Sequence, residues 1–216
     1  MNEIQDYFKK HGYVVIRNFI DPEIAGLVYQ YCITKVRRTD FLIDQYPEDY
    51  RKRWDGAFGD EQIPNSYSCY GDPLMDVLLA NAQFKVEECV GEELVPTYSY
   101  WRFYQKNDQL IRHTDRDSCE ISSTLCLGYN TSNINAEQYK DYSWPMYVKD
   151  YLGEEMPVSL NPGDIILYKG CELEHWRDPY LGLNHAQVFL HYNRKDKENN
   201  NLFDGRQFLG LPSIKG

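Results

Sequence analysis

Apolar positions fall into two textures along the chain, helical up to about residue 95 and strand-like beyond it. Residues 2–10 read as a short helix that breaks at His11-Gly12, and Tyr13-Val14-Val15-Ile16 is a compact β-branched run suited to a buried strand. Asp21-Pro22-Glu23 is a helix start: Asp as N-cap, Pro at the first helical position, an acid in the first turn. Ile24, Leu27, Val28, Tyr31 and Cys32 then form an apolar stripe. Asp72-Pro73 repeats the start signal, and Leu74, Val77, Leu78, Phe84 and Val86 carry the second helix to Gly91. Both helices are expected to pack on the outside of a sheet.

Between them, residues 36–70 are dense in charge and aromatics, punctuated by Gly56, Gly59 and Pro64, as in a floppy insertion or a substrate-covering lid. From Thr97 onward short runs rich in Tyr, Val, Ile and Leu alternate with turn signals: 97–104, 110–115, 121–129, 145–148, 157–160, 164–169 and 185–192. Seven or eight strands without intervening helices predict a mainly β fold with flanking helices, a sandwich or jelly roll. Residues 196–216 look like a tail with a few apolar anchors. The expected organisation is one domain over 1–216, with helical support and the central segment in 1–95 and a β core in 96–195.

Composition narrows the class. At 216 residues and 42% hydrophobic the chain can bury one sizeable core and is short of two full domains. A net charge of -10 argues against a nucleic-acid or anionic-membrane partner held by a basic surface. Met1 opens into a charged, amphipathic segment, and no run approaches the apolar length of a membrane span, so a soluble, cytoplasmic protein is expected. Six cysteines without paired spacing read as reduced, mostly buried thiols. Nineteen tyrosines hint at a polar ligand cavity.

The chemistry concentrates at His113-Thr114-Asp115 and His175. In a strand alternate residues share a face, which puts His113 and Asp115 on one side as a two-ligand chelate. Two imidazoles and a carboxylate make the facial triad of non-haem Fe(II) oxygenases, with the opposite coordination face left open. The tripeptide alone is a weak signal; it gains weight because it ends a strand and because His175 follows a second strand that begins at a Pro-Gly-Asp turn.

These stretches resemble the Fe(II)/2-oxoglutarate-dependent dioxygenases, nearest the prolyl-hydroxylase and phytanoyl-CoA-hydroxylase-like branches. Residues 11–21 resemble the family's entry strand and helix, and Tyr104, nine positions before His113, its first-strand tyrosine. Arg112-His113-Thr114-Asp115 resembles the metal motif, and residues 161–168 followed by Glu174-His175 resemble the strand before the distal histidine. The match spans about residues 7–194. It implies a double-stranded β-helix in which His113, Asp115 and His175 bind Fe(II), with 2-oxoglutarate and O2 as cosubstrates of a hydroxylase.

One departure stands out. The family holds the far carboxylate of 2-oxoglutarate with a Lys or Arg nine to fifteen residues after the distal histidine, and residues 184–190 contain neither. His185, as a partly protonated imidazolium, is the nearest substitute, with Arg102 and Arg177 as permanent cations that could serve instead. His185, Gln187 and His191 share a strand face expected to line the cosubstrate pocket. Tyr98, Tyr100, Arg102 and Tyr104 share another, with Tyr98, Tyr100 and Trp176 as candidate substrate contacts. His11 reads as a helix-end residue, and Arg116 with Glu120 as an ion pair bracing the motif. Two rivals remain: a cupin-type metalloenzyme in which His185 or His191 joins the metal without 2-oxoglutarate, and an inactive barrel serving as a sensor. The substrate, a peptide side chain or small metabolite, is not specified by the sequence.

Overall fold

The computed structural model describes residues 3–135, 137 and 140–213. In chain order the elements are α1 (Glu3–His11), β1 (Tyr13–Ile16), α2 (Pro22–Phe41), α3 (Glu48–Trp54), β2 (Ala57–Phe58), β3 (Tyr67–Tyr70), α4 (Pro73–Val90), β4 (Leu94–Gln105), β5 (Leu110–His113), β6 (Ile121–Asn130), β7 (Met146–Lys149), β8 (Glu155–Val158), β9 (Ile165–Lys169), β10 (His175–Arg177) and β11 (Asn184–Arg194), then a single 3-10 turn at Leu202–Gly205. The strands make two antiparallel sheets: a larger one ordered β1-β9-β6-β11-β4-β3-β2 and a smaller one ordered β5-β10-β7-β8. Neighbours in each sheet are mostly distant in sequence, so the two sheets interleave along the chain and face each other.

Both helix starts form as their sequence signals predict. Asp21 Oδ1 accepts from the Glu23 amide at 2.7 Å, and Asp72 Oδ1 from the Leu74 amide at 3.0 Å, caps worth roughly 1 kcal/mol each. The buried faces are turned relative to the expected stripes. Ile24, Leu27, Val77 and Phe84 are exposed, whereas Ala25, Val28 and Cys32 of α2 and Met75, Leu79, Ala82 and Val86 of α4 are buried. Asp76 accounts for part of the turn in α4: it faces inward to accept from Ser99 and from Arg206.

The main apolar core lies between these helices and the outer face of the larger sheet. Trp101 and Phe103 of β4 and Ala186, Val188, Leu190 and Tyr192 of β11 point into it. Alternation then turns the intervening residues of both strands toward the space between the sheets. At the Pro162-Gly163 turn, Gly163 adopts φ +91, and a Cβ there would lie 2.6 Å from the Ile20 carbonyl, so the entry to β9 packs directly on the chain leading into α2.

Residues 36–70 are not a plain loop. α2 runs on to Phe41, α3 follows, and β2 and β3 extend the larger sheet beyond β4, with Tyr67 opposite Phe103. The tail is held by charge more than by apolar anchors. Arg206 and Asp76 form an ion pair at 2.8 Å with side chains 0% and 1% exposed, and Asp204 is buried against Arg116. Glu120 pairs with Arg194 and Lys197, so the expected Arg116–Glu120 pair does not form. The reason is reach: Asp204 offers Arg116 both carboxylate oxygens at 3.0 and 2.7 Å. Among the described residues no helix is long and apolar enough to cross a membrane.

Candidate metal centre

β5 ends at His113 and β10 begins at His175, and the two residues are direct register partners. Their rings stand 4.3 Å apart. Asp115 lies just past the strand, so plain alternation is not what aligns it with His113. A register irregularity in the β5–β10 pairing lets Leu110 and His113 both face the cavity, and the Asp115 amide is tied to the Gly170 carbonyl at 2.8 Å.

Each histidine donates Nδ1–H to the carbonyl two residues before it, His113 to Ile111 at 2.8 Å and His175 to Leu173 at 3.0 Å. That fixes both tautomers and leaves both Nε2 lone pairs free. The lone pairs converge on Asp115 Oδ1, at 3.6 Å from His113 and 3.5 Å from His175. With metal–ligand bonds of about 2.0–2.2 Å, ligands on adjacent corners of an octahedron stand roughly 3 Å apart, so a small contraction closes these three atoms on one ion. His113, Asp115 and His175 thus fit a divalent cation that takes nitrogen and oxygen donors. Burial pushes the Asp115 carboxyl up, but the histidine rings gathered around it, His113 and His175 foremost, outweigh that effect, so the group is held far below the usual carboxylate range.

The triad opens into a cavity of about 480 Å³ between the sheets. Tyr98, Tyr100 and Arg102 of β4, Phe189 and His191 of β11, and Arg177 of β10 are among its walls. Residues 60–62 of the central segment reach its rim. There Asp60 accepts from Tyr100 at 2.7 Å and from Arg102, and Gln62 accepts from Arg102 at 3.0 Å.

No family model matches the sequence, and no curated protein does. Solved structures match its shape. A Pseudomonas putida prolyl-4-hydroxylase is 14% identical, with 89% of this chain and 97% of that one covered at a TM-score of 0.62. EctD from S. alaskensis with bound Fe is 15% identical, with 99% and 87% covered, at 0.62. HygX from Streptomyces hygroscopicus, with nickel and 2-oxoglutarate bound, is 15% identical, with 91% and 88% covered, at 0.57. The chain has the fold of the Fe(II)/2-oxoglutarate-dependent oxygenases.

Within this oxygenase fold the remaining sequence candidates separate. Arg177 is buried against the cavity and donates from Nη1 to the Trp144 carbonyl at 2.7 Å, with its guanidinium 4.5 Å from the Trp144 ring. Its Nη2 is buried without a partner, and among the described residues no carboxylate pairs with it. Burial pulls its pKa down for that reason. Arg102, by contrast, is neutralised by Asp60. His185 does not line the cavity: it packs among Trp144, Tyr129 and Tyr180 and meets Gln187 Nε2 at 2.9 Å. Burial, aided by the Arg177 charge, drives its pKa well below 6.5, so it is neutral and cannot act as the imidazolium the sequence suggested. Gln187 and Tyr104 are likewise buried behind the cavity wall, Tyr104 edge-on to Trp144. Trp176 lies outside the cavity, stacked on Tyr147 at 5.4 Å with the Arg112 guanidinium 4.2 Å from its ring. His11 ends α1 and bonds Asp150 at 2.8 Å.

Sequence reasoning missed Asp60, Gln62, Ser122 and Asp204. Ser122, Thr124 and Cys126 alternate along β6 as small polar residues, a pattern that marks an inward polar face; Asp60 and Asp204 lie in irregular segments and carry no such signal.

Proposed function

We propose that the protein is a non-haem Fe(II)- and 2-oxoglutarate-dependent hydroxylase acting on a peptide side chain or a small metabolite. The observation that carries this reading is the convergence of His113 Nε2, His175 Nε2 and Asp115 Oδ1 at the head of a cavity that also contains the Arg177 guanidinium, with which no carboxylate among the described residues pairs. On this reading β4 to β11 form a double-stranded β-helix, since β9-β6-β11-β4 faces β5-β10-β7-β8, and residues 1–216 are one domain.

When bound, the iron with 2-oxoglutarate and O2 supplies the oxidising power that puts one oxygen atom into a substrate C–H bond and the other into succinate, with loss of CO2. The chain's part is geometric and electrostatic. His113, Asp115 and His175 hold the metal from one side. Arg177, helped by Arg102, anchors the far carboxylate of 2-oxoglutarate, supplying the cation that β11 lacks. Tyr98 and Tyr100 wall the substrate side, and the segment around Asp60 covers it, excluding water. Tyr104, Gln187 and His185 support the pocket from behind, and Trp176 braces the strand that carries His175 and Arg177. Cytoplasmic residence belongs to the same reading, supported by six free cysteines, five of them buried.

Anaerobic titration of the purified protein with Mn(II) and then 2-oxoglutarate tests the proposal. Stoichiometric metal binding, cosubstrate binding that depends on the metal, and succinate formation under O2 with Fe(II) are expected. A protein with an intact triad that binds neither Fe(II) nor Mn(II) overturns it, and 2-oxoglutarate turnover removes the sensor alternative.

A further inference from the structure

Asp115 has two carboxylate oxygens, and the structure treats them differently. Oδ1 faces both histidine Nε2 atoms. Oδ2 accepts a hydrogen bond from Ser122 Oγ at 2.6 Å. Ser122 has one hydroxyl hydrogen and two lone pairs. Its other acceptor within reach, the Cys119 carbonyl, is neutral and lies at 3.3 Å, so the charged and closer Asp115 takes the hydrogen. Ser122 Oγ must then act as acceptor toward His191 Nδ1, 3.0 Å away, which makes His191 the Nδ1–H tautomer. The imidazole is held in turn by Tyr98, whose ring lies 4.6 Å from it. Gly170 closes the arrangement: its carbonyl receives the Asp115 amide, and a Cβ on it would lie 2.5 Å from Asp115 Oδ2 and nearer still to Ser122 Oγ.

Resting on the triad reading above, we infer that Ser122, His191 and Gly170 are positioning residues that lock Oδ2 of Asp115 and so make Asp115 a one-oxygen ligand through Oδ1. His191 acts through Ser122 and is not itself a ligand. Confining the carboxylate to one oxygen keeps a coordination position from being taken by Oδ2, and the hydrogen bond orients the ligand before metal arrives. Loss of a partner of this kind typically lowers metal affinity 10- to 100-fold.

The test is Mn(II) affinity, by electron paramagnetic resonance titration, and the visible absorption of the Co(II)-loaded protein, measured on the wild type and on S122A, S122T and H191Q. S122A is expected to weaken Mn(II) binding at least tenfold and to shift the Co(II) bands. S122T, which keeps the hydroxyl, is expected to stay within about threefold of wild type with its bands unmoved. H191Q keeps an amide donor for Ser122 and is expected to retain metal within about tenfold. The inference is overturned if S122A binds Mn(II) like the wild type, if S122T fails as badly as S122A, or if H191Q abolishes binding, which would make His191 a ligand. A wild type that binds no metal refutes the triad itself, a different outcome.

Discussion

Replacing Arg177 with Met separates the proposed cosubstrate site from mere packing, because the two consequences run in opposite directions. Arg177 is buried, satisfied at Nη1 by the Trp144 carbonyl and unpartnered at Nη2. A carboxylate bound there meets a donor that has no protein bond to give up, and truncating one side of a buried charge pair costs about 2–5 kcal/mol. R177M is therefore expected to weaken 2-oxoglutarate binding to the Mn(II)-loaded protein by roughly 30- to 4000-fold, at about 1.4 kcal/mol per decade. The fold should respond otherwise. The variant loses one hydrogen bond and a contact with Trp144, but it also removes a buried cation that no carboxylate compensates, and an isolated buried charge costs several kcal/mol. The thermal midpoint of the ligand-free protein should then stay level or rise. R177K keeps a point charge without the planar fork and should recover only part of the affinity. Isothermal titration under anaerobic conditions reads the first effect and a melting curve the second. If R177M binds 2-oxoglutarate within threefold of wild type while folding normally, Arg177 is not the anchor and the assignment passes to Arg102.

Three further outcomes follow from the same structure. His191 is neutral and buried, with its pKa lowered to about 4 by burial and Arg116, against Asp115 and Asp204, which raise it. Between that value and the unfolded value near 6.5 the unfolded chain binds the extra proton, so the stability of the metal-free protein is complete above about pH 6.5 and falls by about 3 kcal/mol in total as pH drops toward 4; H191Q should flatten that slope in urea melts, and an unchanged slope contradicts the assignment. Breaking the buried Arg206–Asp76 pair with R206M strands a buried carboxylate, which costs about 3–5 kcal/mol and lowers the melting temperature by roughly 6–20 °C; a shift under 3 °C would show the tail to be dispensable. D60A removes the acceptor that ties the rim to Tyr100 and Arg102, so amide exchange across residues 59–66 should accelerate at least tenfold with protection of β6 and β11 unaltered.

Much of the architecture was readable from local pattern. Caps at Asp21 and Asp72, the β-branched run 13–16 and the alternation in β4 and β11 act over a few residues, so sequence reports them directly. On β4, Tyr98, Tyr100 and Arg102 face the cavity and Trp101 and Phe103 the helices, whereas of the β11 residues His185, Gln187 and His191 it is His191 that lines the cavity. The stripe of α4 is turned in part because a helix that also buries Asp76 is oriented by its ion pair as well as by its apolar residues.

The chain by itself determined that it is a β-rich domain with two capped outer helices, and it supplied the three residue types at which a metal could sit. Tertiary structure decided which charges are free. Arg102 meets Asp60 across 42 residues and Arg116 meets Asp204 across 88, whereas Arg177 meets no carboxylate among the described residues. His185, on paper the substitute cation, is neutral because it is enclosed by aromatic rings and repelled by Arg177. Ionisation and pairing depend on desolvation and on neighbours brought together from distant strands, and no local pattern encodes those.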